Sequence, residues 1–107
     1  MSKLRGGEGT MEEFLAQIEN DPEELYNFGV WLCNEDPPVY QMALEMFTKA
    51  AKFNHADSFA MLGLMLYYGN GVPQDKKFAK DMLTNAKNFG SSMGARYLRE
   101  LKFGWFS

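Results

Sequence analysis

The chain repeats itself. Asn54 to Gly90 reads NHADSFAMLGLMLYYGNGVPQDKKFAKDMLTNAKNFG, and a weaker copy, DPEELYNFGVWLCNEDPPVYQMALEMFTKAAKF, runs before it from Asp21 to Phe53. Part of a third copy follows from Ser91 to Phe103. Gly29 and Gly63 stand 34 positions apart, and Ala43–Ala79, Asn54–Gly90 and Leu62–Leu98 stand 36 apart. A period in the mid-thirties with helical patterning inside each unit predicts stacked helix pairs. Stacks of this kind present extended surfaces for binding.

The helix signals punctuate the period. Thr10 with Glu13 fits a capping box and opens a helix to about Asn20, with Phe14, Leu15 and Ile18 on one side. Asp21 caps the next, Pro22 fits its first position, and Glu23 and Glu24 suit the positive end of the helix dipole. That helix runs to about Asn34, where Pro37-Pro38 enforces a loop. Helices over 39–53 and 56–68 follow. Gly69-Asn70-Gly71 then forms a second loop, with Asp75 capping a helix over 76–89. Gly90 stops that helix, and Ser91 or Ser92 caps a last one reaching about Phe103. No useful run alternates with period two, so no strand is predicted. Phe59, Leu62, Gly63 and Leu66 predict the core stripe of the 56–68 helix. Ala43, Met46, Phe47 and Ala50 predict its counterpart in one partner helix, and Ala79, Met82, Leu83 and Ala86 in the other.

Bulk properties narrow the function classes. At 107 residues one domain is expected, residues 10–107, after a flexible Gly-rich tail at residues 1–9. A net charge of −3 gives no footprint for nucleic acid and suits a basic protein partner. Cys33 is the only cysteine, which rules out an intrachain disulfide, and it reads as a small apolar packing group. No apolar run is long enough for a membrane helix, and the first residues lack the apolar centre of a secretory signal, so the expected location is cytoplasmic. The Gly69-Asn70-Gly71 loop follows no strand and lacks the Lys-Ser/Thr of a phosphate loop. His55, the only histidine, reads as a turn residue, because no partners stand at triad or zinc-ligand spacing. Glu12-Glu13 and Glu23-Glu24 sit in first helical turns, where carboxylates serve the dipole rather than a sugar cleft. The eight methionines read mostly as core filling. Neither a cofactor nor a metal site is expected.

These residues resemble the Sel-one-like repeat family, a branch of the tetratricopeptide-type α-solenoids. Ala56, Leu62, Gly63, Gly69, Gly71, Val72, Asp75, Ala79, Ala86 and Gly90 match its pattern. Leu66 stands where the family prefers Tyr, and Met82-Leu83 where it prefers Trp-Tyr. The first copy lacks the Gly-x-Gly loop, and the third carries Arg99 at the glycine position. The resemblance implies an all-α fold: a short right-handed α-solenoid of antiparallel helix pairs, about two and a half repeats behind an N-terminal helix. It also implies a non-enzymatic scaffold that binds a protein or peptide on its concave face, in an adaptor, regulatory or immunity role. If the first helix of each pair lines that face, the expected stripe is Glu23, Tyr26, Val30, Cys33 and Asn34, then Asp57, Ala60, Leu64, Tyr67 and Tyr68, then Met93, Arg96, Glu100 and Phe103. Aromatic anchors with acidic ends suit a partner surface. The competing reading packs the two tyrosines against the next helix. Trp105 and Phe106 are expected either to cap the stack or to make a tail contact. Two other readings remain open: a self-associating structural oligomer, and a hydrolase like the secreted, cysteine-paired members of the family. The single cysteine argues against the latter.

Overall fold

The computed structural model describes residues 9–104. Residues 1–8, which hold all but the last residue of the expected tail, lie outside the described residues, as do Trp105 and Phe106. Among the described residues the structure is all-helical: α1 Met11–Ile18, α2 Pro22–Cys33, α3 Tyr40–Ala51, α4 Ala56–Tyr68, α5 Lys76–Asn88 and α6 Ser92–Glu100, with no strand. The expected caps form. Thr10 and Glu13 exchange both bonds of a capping box, and Asp21, Asp75 and Ser91 each accept from an amide three residues on.

Each helix packs on its sequence neighbours, and α6 also reaches α4. The body measures 55 × 27 × 17 Å with a radius of gyration of 15.0 Å, against about 13 Å for a compact chain of this length. It is therefore elongated, with α1 and α2 toward one end and α5 and α6 toward the other.

Two pairs pack by the same device. A Cβ on Gly29 would stand 2.6 Å from the Phe47 ring, and one on Gly63 would stand 2.8 Å from Leu83 Cγ. Phe47 and Leu83 are 36 residues apart, so α2 seats α3 as α4 seats α5. Arg99, at the next such position, is exposed, and no helix follows α6 among the described residues. Between the pairs the small residues are Ser58 and Gly94, both buried and also 36 apart. A Cβ on Gly94 would meet Ala86 Cβ at 2.6 Å and the Lys87 backbone nitrogen at 3.1 Å. No side chain can swing away there, so Gly94→Ala must push α6 off α5. We expect a loss of about 1–3 kcal/mol in denaturant unfolding, despite the helix propensity gained.

The loop glycines also have positional roles. Gly69 (φ 73°) ends α4 in the left-handed region. Gly71 (φ 77°) lies so close to α3 that a Cβ would stand 2.7 Å from Tyr40 Cβ, and Gln41 Nε2 donates to its carbonyl at 2.6 Å. The Gly-x-Gly segment thus fastens the α4–α5 loop to the preceding pair.

Two expectations need correction. Of the predicted core stripe of α4 only Gly63 is fully buried: Phe59, Leu62 and Leu66 are half-buried, while Ser58, Ala60, Met65 and Tyr67 are buried. With α3, α5 and α6 all packed on α4, apolar periodicity cannot select one inward face. The last helix ends at Glu100, not Phe103, because Leu101 turns extended (φ −83°, ψ 156°) and carries Phe103 back into the core.

Candidate functional site

Three members of the expected concave stripe, Ala60, Tyr67 and Phe103, are buried in the fold. Tyr67 is only 9% exposed. Its hydroxyl donates to the Lys102 carbonyl at 3.0 Å and accepts from the Lys102 amide at 3.1 Å, and its ring meets Phe103 edge-on at 5.5 Å. The Lys76 ammonium lies 4.8 Å over the same ring. Tyr67 and Phe103 therefore close the α4–α6 corner, and Ala60 is fully buried. Val30, Cys33, Leu64 and Met93 are half-buried, and burial raises the Cys33 thiol pKa. Arg96 lies over the Tyr97 ring and pairs loosely with Glu100 on its own helix, Nε to Oε1 3.7 Å. Asn34 is exposed, and only Tyr68, 57% exposed, stands out as an open aromatic of the stripe.

The acidic members join the pairs together. Glu23 Oε1 takes a hydrogen bond from His55 Nε2 at 2.9 Å, and Asp57 Oδ1 takes one from Ser91 Oγ at 2.6 Å. Glu23 and Asp57 are 34 apart and His55 and Ser91 are 36 apart, so one clip occurs twice. The Tyr26 ring lies tilted against His55, centroids 4.9 Å apart. Burial first, then the Asp57 and Glu23 carboxylates, push its phenol pKa above 10.0. His55 is thus more than a turn residue. Since a carboxylate only accepts, Nε2 carries the proton, and in the neutral ring Nδ1 accepts from Ser58 Oγ at 2.9 Å. Carboxylate, imidazole and serine form the chain of a hydrolytic triad. Ser58, however, has no exposed surface, so no substrate carbonyl can reach its oxygen. The chain serves as an internal clip.

Among the described residues an open apolar site lies elsewhere. Met11 and Phe14 from α1 and Phe28 and Trp31 from α2 line a cavity of about 400 Å³. Phe14 meets Phe28 edge-on at 5.0 Å, and Phe28 stacks on Trp31 at 5.8 Å. Phe28 belongs to the core, which holds the wall in place, while Met11 and Trp31 remain 52% and 54% exposed. Sequence periodicity passes over this groove, since Met11 and Trp31 look like any other apolar helix positions. The stretch of sequence that supplies it is acidic. Thr10 to Thr48 carries nine Asp or Glu and no Lys or Arg, whereas Lys49 to Gly104 carries nine Lys or Arg and four Asp or Glu.

Among the described residues no cluster of His, Cys, Asp and Glu could hold a metal ion, and no helix is long and apolar enough to cross a membrane. Comparisons with protein-family models, curated proteins and solved structures find no match.

Proposed function

We propose that this chain is a non-enzymatic protein-binding module, a short right-handed α-solenoid of Sel-one-like helix pairs. Its docking site is the groove of Met11, Phe14, Phe28 and Trp31. The 34- and 36-residue equivalence of the Gly29/Phe47 and Gly63/Leu83 seats supports the solenoid reading. The observation that carries the binding reading is an apolar groove with an exposed tryptophan inside a stretch that holds no Lys or Arg. Exposed apolar patches of this kind mark interaction sites, and tryptophan is a frequent anchor of them. The occupant is a basic segment that carries a large apolar side chain. The side chain fills the cavity, and the charge steers the approach.

A fluorescently labelled amphipathic peptide of Lys and Leu, with a Glu and Leu peptide as its counterpart, tests this by anisotropy. We expect the basic peptide to bind and the acidic one not to. Trp31→Ala should weaken binding about thirtyfold, the loss of a hot-spot side chain, with the helical circular dichroism kept. Equal binding of both peptides, or an unchanged affinity in Trp31→Ala, would refute the site.

A further inference from the structure

The proposed occupant is a basic segment with a large apolar side chain, and this chain carries such a segment itself. We propose that the groove receives the basic end of a second copy, with Trp105-Phe106 seated among Met11, Phe14, Phe28 and Trp31. This rests on the groove being a docking site and names its partner.

Three observations point to it. The first is charge. The groove end bears only acidic residues on α1 and α2, while α5, α6 and Lys102 bring seven Lys or Arg against two Asp or Glu. Opposite charge at the two ends of a 55 Å body favours head-to-tail approach and disfavours head-to-head. The second is reach. Phe103 is pinned 2% exposed against Tyr67, so the described chain approaches its end at the α4–α6 corner. Two residues past Gly104 span about 7 Å at most, far short of the groove at the other end of the same body. In one molecule groove and tail cannot meet, and in two they can. The third is chemistry. The cavity walls are four apolar side chains, and Trp105 and Phe106 supply large apolar rings flanked by Arg99 and Lys102.

The contact joins different surfaces on the two copies, so it does not close on itself as a two-fold dimer does. The full chain should therefore grow in mass past two copies as its concentration rises through the micromolar range. Moving from about 0.05 M to about 0.5 M salt should reverse that growth, because screening weakens the end-to-end attraction.

Sedimentation velocity on the wild type, on Trp31→Ala and on the double variant Trp105→Ala/Phe106→Ala tests the proposal. Each variant alone should remain a monomer. An equimolar mixture should reach two copies and stop, because the intact groove of one variant takes the intact tail of the other. Met11→Ser replaces Trp31→Ala if the latter loses its helical signal. A wild type that stays monomeric, growth that ends at a dimer, or a mixture that fails to pair would overturn the proposal. If the chain stays monomeric yet binds the Lys and Leu peptide, self-assembly falls while the groove stands as a site for another basic protein. If neither event occurs, both readings fall.

Discussion

Phe47→Ala is expected to cost about 3–5 kcal/mol in denaturant unfolding, the loss typical of a buried phenylalanine. A domain of this size holds only about 5–15 kcal/mol in total, so the variant should sit near its unfolding limit at ambient temperature. Phe47 has no exposed surface, tilts against Tyr26 at 5.8 Å, and lies flush on Gly29. That last contact gives the prediction a sharper form. In the wild type, Gly29→Ala drives a methyl into the Phe47 ring and should destabilise. In the Phe47→Ala background the same methyl enters the vacated space and gains up to about 1 kcal/mol of helix propensity, so it should stabilise. A sign that does not reverse would mean that the helix seat is not what holds α2 to α3.

Tyr67→Ala is expected to cost a similar amount, about 3–4 kcal/mol, but at the other end of the molecule. It removes the ring that packs Phe103 and the hydroxyl that clamps the Lys102 backbone. Hydrogen exchange should accelerate in α6 and residues 101–103 and change little in α1 to α3. Tyr67→Phe keeps the ring and should lose only about 0.5–1.5 kcal/mol, since water can reach the freed Lys102 amide and carbonyl. If Tyr67→Ala instead kept full stability, Tyr67 would be available as a surface anchor.

The parts of this fold legible in the sequence are those decided by neighbours. Thr10 with Glu13, Asp21 before Pro22, Asp75 and Ser91 mark helix starts within four residues of chain, and each cap forms. Ala43, Ala50, Ala79 and Ala86 sit at positions where only small side chains fit, and all four have no exposed surface. What escaped the reading depends on residues far apart. Tyr67 is buried by a segment 35 residues away, a contact that decides between the two readings of this aromatic and that local sequence does not show. Glu23 and Asp57, read as a rim for a partner, are held by His55 and Ser91 of the next pair. The groove escaped for another reason. Periodicity marks Phe14 as one of an apolar side but cannot tell that Met11 and Trp31 are left open to solvent. A net charge of −3 likewise conceals an acidic half and a basic half.

In the proposed function a basic partner meets this chain at α1 and α2, not on the face that carries Leu64 and Tyr68. The most direct measurement is a titration of isotopically labelled protein with the Lys and Leu peptide, followed by NMR at single residues. Shifts should concentrate at Met11, Phe14, Phe28 and the Trp31 indole N–H, with Leu64, Tyr68 and Arg96 unmoved. Shifts centred on Leu64, Tyr68 and Arg96, with a silent Trp31, would contradict it and return the binding face to the stripe.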